Sequence, residues 1–482
     1  MAKETNGTLV DKLLYDAKLI RDESQKTFAC DLLAEFVRQV EQQGNTSGMH
    51  VGPFLSQRIA QMDEIISDQL NEVLHHPDFQ KLEGSWRGLS YLVNKTVTGT
   101  SLKLRLLNIT KDELKKDLEK AVEFDQSQLF KKVYEEEYGT FGGNPYSALV
   151  ADFDFGRNPM DVEILDKLSN VAAAAHAPVL TAAHPKMFDV ESFEDLGIPR
   201  DLSKLFESLE LVKWNSFRSS EDSRYVTLAL PRVLFRLPYD SEKNPAEGIA
   251  FNEDASGADS SKFCWGNPAY VLAERITNAF SIYGWTAAIR GVEGGGIVEG
   301  LPAYTFKSTD GDIALKCPTE TAITDRREKE LSDLGFMSLC HCKGTDYAAF
   351  FGSQTTQKPR VYNLDDANAN SSLSARLPYL LAASRFAHYI KVIMRDKIGS
   401  FMTRSNVEMY LNSWIANYVL LNDDAPQNVK AKYPLREARI DVFDVPGKPG
   451  TYRSVVYLRP HFQMEELTAS IRLVATLPPP AK

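Results

Sequence analysis

The chain has 482 residues, 43% hydrophobic and 25% charged, which is enough for two or three packed units and excludes a disordered scaffold. Its 65 acidic and 55 basic side chains leave a net charge of −10, so bulk attraction to nucleic acid is excluded, although a local basic patch is not. No apolar run reaches the roughly eighteen residues of a membrane span, and the opening MAKETNGTLVDKLLYD lacks the basic-then-apolar profile of a signal peptide. Five cysteines, Cys30, Cys264, Cys317, Cys340 and Cys342, are few and odd in number, which suits a reducing compartment. The expectation is a cytoplasmic protein with no insertion into a membrane.

Residues 1–76 read as an N-terminal helical segment. Thr8 with Asp11 makes a weak capping box, and Leu9, Leu13, Ala17 and Ile20 share one stripe. Ala29, Leu32, Leu33, Phe36, Val37 and Val40 make a second, and 42–53 is a polar, glycine-bearing linker. A further helix turns Leu55, Ile59, Met62, Ile66, Leu70 and Val73 inward, with His75 and His76 at its end before Pro77, where they favour the macrodipole.

From 77 to 363 helices and strands alternate, which implies a mixed α/β layer architecture. Leu102, Leu104 and Leu106 alternate with Lys103 and Arg105 as a half-buried strand, and Thr110 with Glu113 caps the next helix. Glu135, Glu136 and Glu137, between Tyr134 and Tyr138, read as the solvated face of a helix. Val226–Leu237 is a strand interrupted by Pro231, which predicts an edge position or a bulge.

Within WGNPAYVLAERITNAFSIYGWTAAIRGVEGGGIVEGLPAYTF, Asn267 caps a helix that Pro268 opens, Leu272, Ile276, Ala279, Phe280 and Tyr283 form its apolar face, and Gly284 ends it. The glycines at 291, 294, 295, 296 and 300 would let backbone approach a phosphate. However, a phosphate loop needs a strand before it and a helix after, and no Lys-Ser or Lys-Thr closes the run. Cys340-His341-Cys342 tempts a metal reading, but on a strand the two cysteines face one side with Phe336 and the histidine faces the other. Two buried thiols packing as small hydrophobes is the expectation there. No HExxH, GxSxG, paired CxxC or EF-hand pattern occurs, so no metal, cofactor or catalytic residue is expected.

LDDANANSSLSA, 364–375, reads as a linker and domain boundary. The C-terminal region 376–482 then holds two helices, about 376–402 and 406–421, the second with Ser405 and Glu408 in capping-box register. A β-rich tail follows: ARIDVFDV, a PGKPG turn, TYRSVVYL and LTASIRLVATL. Arg439, Asp441, Arg453 and Arg459 alternate with Ile440, Val442, Val455 and Tyr457. This projecting hairpin is either an ordinary sheet or an edge that accepts a strand from another chain.

Taken together, FQKLEGSWRGLSYL (79–92), EDSRYVTLALPRVLFRLPY (221–239), the 265–306 stretch and 435–462, in that order and spacing, resemble the large subunit of the type VI secretion contractile sheath, from about residue 9 to 475. The resemblance implies a central α/β sheath domain with a C-terminal sheath domain that exchanges strands between subunits. It also implies a bacterial cytoplasmic polymer with a small sheath subunit and copies of itself, around stacked tube hexamers and on a baseplate. After contraction an AAA+ unfoldase would recognise an N-terminal helix, here Leu9–Arg21. The partner-binding residues implied are Leu9, Leu13, Leu14, Ile20, Arg439, Ile440, Val442, Arg453, Val455 and Tyr457. Two rivals remain: an α/β enzyme cradling a phosphate-bearing ligand in the Gly291–Gly300 loop, and a partner-binding module that does not polymerise.

Overall fold

The computed structural model describes residues 23–42 and 51–464, apart from 199, 242, 256, 258, 308–310, 401 and 449. The expectations at Thr8, Leu9, Asp11, Leu13, Leu14, Ala17, Ile20 and LTASIRLVATL lie outside the described residues, as does most of the 42–53 linker. The chain clusters into two compact units, Met1–Glu72 with Tyr239–Glu253, and Val73–Pro238 with Asp254–Lys482.

In the first unit lie α1 (Lys26–Gln42) and most of α2 (Val51–Leu74). Both are amphipathic, yet among their described residues only Ala29 is buried, against Cys30 and Leu33. Ile59, Met62, Ile66 and Val73, expected to face inward, are exposed, as are Phe28, Leu32 and Val37. The periodicity correctly makes an apolar stripe, but a stripe packs only where another element covers it. The 239–253 segment closes on itself: Glu253 N–H donates to the Tyr239 carbonyl at 2.9 Å, and the Glu253 carboxylate accepts from Tyr239 N–H at 2.9 Å.

The second unit opens with α3 (Pro77–Lys95), whose N-cap is His76, accepting from Asp78 N–H at 3.3 Å. His76 thus starts a helix as well as following one. Next comes α4 (Lys111–Lys120), with the expected capping box: Thr110 Oγ1 accepts from Glu113 N–H at 3.2 Å, and Glu113 accepts from Thr110 N–H at 2.9 Å. Before it, 102–110 belongs to no helix or sheet, and Leu104 and Leu106 are both exposed. Alternation alone cannot make a strand without a partner ladder. At 131–138 the helix is a π-turn whose Tyr138 is buried; Glu137 is not solvated, since it pairs with Arg105 and accepts from Asn144 N–H at 2.7 Å.

A βαβ crossover follows, β1 (Leu149–Phe155), α5 (Pro159–Ala175) and β2 (Val179–Ala183), then α6 (Val212–Ser219) and β3 (Val226–Leu230). Both β2 and β3 are buried at every residue, as runs such as VLTAA and VTLAL require when helices cover both faces of a parallel sheet. Pro231, joined to Leu230 by a cis peptide, does not mark an edge: β3 is central, and proline ends it. The chain leaves into β4 (Val233–Arg236), paired with β5 (Cys264–Gly266).

After α7 (Pro268–Tyr283) come β6 (Ile297–Val298), the hairpin β7 (Tyr304–Lys307) and β8 (Ile313–Lys316), α8 (Asp325–Asp333), β9 (Phe336–His341) and β10 (Ala348–Phe350). The main sheet runs β1-β2-β3-β9-β10-β6, parallel to β9 and antiparallel beyond it. One face packs a core in which Trp214 stacks on Phe336 at 5.7 Å with Phe188 and Phe206 beside it. On the other, Leu272, Ile276 and Ala279 of α7 are buried as expected, with Asn267 accepting from Ala269 N–H at 2.8 Å and Gly284 closing the helix at φ 75°. Here α3 approaches closely through two glycines one turn apart. A Cβ at Gly84 would meet the Trp265 carbonyl oxygen at 2.7 Å, and one at Gly88 the Tyr270 ring at 2.4 Å.

The 364–375 stretch is helical, not an irregular linker: α9 (Asp365–Ser374) occupies it with no buried residue. The polar composition describes a solvated helix surface here. Then come α10 (Leu377–Asp396), α11 (Arg404–Ala416), β11 (Leu435–Asp444) and β12 (Tyr452–Pro460). Their core stacks Trp285 on Phe386 at 4.5 Å and buries Leu411, Ile415, Leu435, Ile440 and Val442.

Candidate assembly interface

The hairpin β11–β12 forms its own two-stranded sheet, so it has two outer edges. Its register pairs Arg439 with Tyr457, Ile440 with Val456, Asp441 with Val455, Val442 with Ser454 and Phe443 with Arg453. The edge of β11 is shut. Leu435 N–H donates to the Tyr418 carbonyl at 3.3 Å, and Leu420 N–H donates to the Leu435 carbonyl at 2.8 Å. The Asn412 amide then acts as a surrogate strand. Its Oδ1 accepts from Ile440 N–H at 3.0 Å and its Nδ2 donates to the Ile440 carbonyl at 2.7 Å. One helical turn earlier, Glu408 Oε2 accepts from Val442 N–H at 3.2 Å. That is why Glu408 does not serve the capping box expected with Ser405; the helix is capped instead by Thr403, which accepts from Asn406 N–H at 3.3 Å.

Antiparallel residues alternately turn their backbone groups inward and outward. Since Ile440 and Val442 face α11, their cross-strand partners Val456 and Ser454 turn outward on the other side. Among the described residues no backbone bond meets Ser454, Val456 or Leu458 there. Among the described residues the edge of β12 is therefore open, while the Arg439 and Arg453 backbones lie in the internal ladder.

Of the residues expected to bind partners, Leu9, Leu13, Leu14 and Ile20 lie outside the described residues. Ile440 and Val442 are core, at 0% and 2% exposure. Val455 and Tyr457 do not share their face: the register sets both beside Arg439 and Asp441 on the opposite one, with Tyr457 exposed. There Arg439 lies 4.9 Å from the Tyr457 ring and 2.8 Å from Asp441, with Arg453 exposed nearby. Residues 453, 455, 457 and 459 are two apart in one strand and therefore share a face, so Val455 and Tyr457 do not alternate with Arg453 and Arg459. Asn412 and Glu408 left no trace in the sequence beyond being polar residues four apart, on one helical face.

The glycine-rich loop spends its backbone on β10 and on itself. Gly291 N–H donates to the Phe350 carbonyl at 2.7 Å and Gly296 N–H to the Gly291 carbonyl at 2.8 Å. Gly295, at φ 86°, passes so near Ala288 that a Cβ would stand 2.4 Å from its carbonyl oxygen. A two-residue strand, not a helix, follows.

In the Cys-His-Cys stretch, Cys340 is buried and its thiol pushed up to about 12 by that burial, as is that of Cys264. Cys342 corrects the expectation of a second buried thiol: β9 ends at His341, so Cys342 sits exposed in the tight turn to β10. Among the described residues no group of three or more His, Cys, Asp or Glu is placed to hold a metal ion, and no helix is long and apolar enough to cross a membrane.

What this geometry offers is a strand edge and uncovered helix faces on an α/β body, the equipment of a structural assembly subunit. Residues 56–357 match the family model for the EvpB/VC_A0108 tail sheath N-terminal domain, and 366–477 that for the tail sheath gpW/gp25-like domain. The chain belongs to this VipB tail sheath family, whose members are structural subunits of the type VI secretion sheath. It is 52% identical over 426 residues to the type VI secretion system sheath protein TssC1 of Pseudomonas aeruginosa, covering 87% of this chain and 85% of that one. Solved structures with some likeness include the helical sheath of the anti-feeding prophage in its contracted state, 12% identical, covering 64% of this chain and 66% of that one at TM-score 0.32. The contracted PVC sheath complex of an extracellular contractile injection system is 11% identical, covering 78% and 98% at TM-score 0.31. Likeness at that level carries no inference.

Proposed function

We propose that this chain is the large subunit of a helical contractile sheath that joins a small sheath subunit, encloses an inner tube on a baseplate and contracts to propel that tube from the bacterial cytoplasm. Its work is mechanical and needs no catalytic residue, metal or cofactor. An extended lattice passes to a shorter, wider one in which subunits interlock more fully, while exchanged strands keep neighbours connected as rigid bodies rotate.

The observation that carries this reading is the asymmetry of the C-terminal hairpin. One edge is shut by Asn412 and Glu408, and the other presents Ser454, Val456 and Leu458 to an incoming strand. An open edge invites pairing, and strand addition supplies main-chain affinity. The exposed apolar residues of α1 and α2 supply the face on which the small subunit packs. Leu9, Leu13 and Leu14 would enter a groove of an AAA+ unfoldase, with access gained on contraction; Leu13→Ser with Leu14→Ser should leave tubules formed but not dismantled.

Ser454→Pro tests the strand-exchange assignment. It removes an outward N–H from an edge strand and no internal ladder bond. Co-expressed with the small subunit, it should give intact heterodimer and no tubules by electron microscopy, whereas Arg453→Pro should disrupt the hairpin itself. Normal tubules from Ser454→Pro would refute the assignment.

A further inference from the structure

Residues 103–109 lie in no helix, sheet or turn, and among the described residues no hydrogen bond meets any of their N–H or carbonyl groups. Both ends are pinned. The Leu102 carbonyl accepts from Gly99 N–H at 2.9 Å, and Thr110 belongs to the capping box of α4. Between these anchors 103–108 are all exposed, Leu106 at 70%. The side chains nevertheless keep the two-residue period of a strand. Lys103 Nζ donates to Asn144 Oδ1 at 3.4 Å, and Arg105 donates to the Tyr146 hydroxyl at 3.2 Å and pairs with Glu137, so these two reach one flank. Leu104 and Leu106, of the other parity, are left to solvent. Beside the segment lies a cavity of about 260 Å³. Its apolar walls include Leu92, Val150, Leu180, Ile276 and Phe280; Lys103, Arg105 and Arg385 also line it, and no Asp or Glu does. Glu137 answers one of the three cations. Among the described residues no carboxylate pairs with Arg385, which lies 4.7 Å from the Tyr389 ring.

We infer that 103–109 is a second strand-pairing site, which takes a β-strand of the small sheath subunit bearing aliphatic side chains on one face and carboxylates on the other. The inference rests on the sheath reading. Pairing would supply partners to a run of backbone groups that otherwise has water alone. Aliphatic side chains of the incoming strand would cover Leu104 and Leu106, and one of them would fill the cavity. Carboxylates on its other face would meet Lys103 and Arg105, and one at the mouth of the cavity would meet Arg385. A second copy of this chain fits poorly. Its open edge is β12, and setting the apolar face of Val456 and Leu458 beside Leu104 and Leu106 would bring Arg453 and Arg459 beside Lys103 and Arg105. Like charges opposite one another on a sheet are destabilising, so the complementary strand is an acidic one from a different chain.

Hydrogen exchange followed by mass spectrometry, on the full chain alone and on its co-purified complex with the small subunit, reads the segment directly. In the chain alone, peptides spanning 103–109 should exchange at the rate of unstructured chain; in the complex they should slow by about 100-fold. Carbodiimide cross-linking of the same complex should join Lys103 to an Asp or Glu of the small subunit. Leu106→Pro removes an N–H that bonds to nothing among the described residues, and Lys103→Glu reverses one charge. Each should cut the protection of 103–109 by at least about 10-fold in a complex still held by the faces of α1 and α2. Four results would overturn this inference and leave the sheath reading standing: a complex in which 103–109 exchanges as fast as in the chain alone, protection already present in the chain alone, protection that arises in tubules but not in the heterodimer, or a Lys103 link to a second copy of this chain. Failure to form any complex would overturn both. The exchange of the unmodified complex decides even where a variant fails to fold.

Discussion

Asn412→Ala should loosen the hairpin at one defined place. The amide makes two hydrogen bonds to the backbone of Ile440, at 3.0 and 2.7 Å, and Ile440 itself is fully buried. Each bond contributes about 1 kcal/mol net, and a buried backbone group left without a partner costs about 1–3 kcal/mol. Asn412 is half-buried, so water reaches the gap and the low end applies, about 2 kcal/mol in total. That corresponds to roughly a 30-fold faster opening of the Ile440 amide. Hydrogen exchange followed by mass spectrometry on the full chain should show the loss in peptides spanning 438–444, with peptides of the main sheet unchanged. The newly opened β11 edge should also raise off-pathway association at high protein concentration. Unchanged exchange at 438–444 would refute the account in which a side-chain amide stands in for a strand.

Glu83 accepts from Arg236 and Arg87, each at 2.7 Å, with Glu83 and Arg236 side chains only 10% and 5% exposed. Glu83→Ala removes the carboxylate paired with the buried Arg236 guanidinium and should lower unfolding free energy by about 3 kcal/mol in urea titration. Gly88→Ala, which drives a methyl into the Tyr270 ring, should cost about 1–3 kcal/mol, while Gly99→Ala, in open space, should cost no more than a few tenths; equal melting temperatures would count against close packing of α3. Burial depresses His388 to about 4, with the Ala175 carbonyl 2.8 Å from its Nε2. The unfolded chain therefore takes up the proton first: this contribution is intact above the ordinary histidine range and is lost as pH falls toward 4, on the order of 3 kcal/mol in full. His388→Gln should flatten that part of the slope in unfolding titrations between pH 7 and 4. Ile59→Ser with Ile66→Ser should change the stability of this chain by less than about 0.5 kcal/mol, because both are exposed, yet should abolish co-purification with the small subunit.

Local chemistry alone determined several features. Asn267, Pro268 and Gly284 bound α7 because caps and left-handed terminators act through their immediate neighbours. Thr110 with Glu113 is of the same kind. The joint pattern of four segments also carried the family. Tertiary structure decided whatever needed a partner distant in sequence. Leu102–Leu106 alternates without becoming a strand because no ladder runs beside it, and Pro231 ends a central strand because helices and β9 enclose β3. Polar 364–375 is a helix whose surface is solvated. Ile59 and Ile66 have the right period but no cover among the described residues, since periodicity fixes a face and not what lies against it. The open and shut edges of the hairpin follow from Asn412, twenty-eight residues from the backbone it caps.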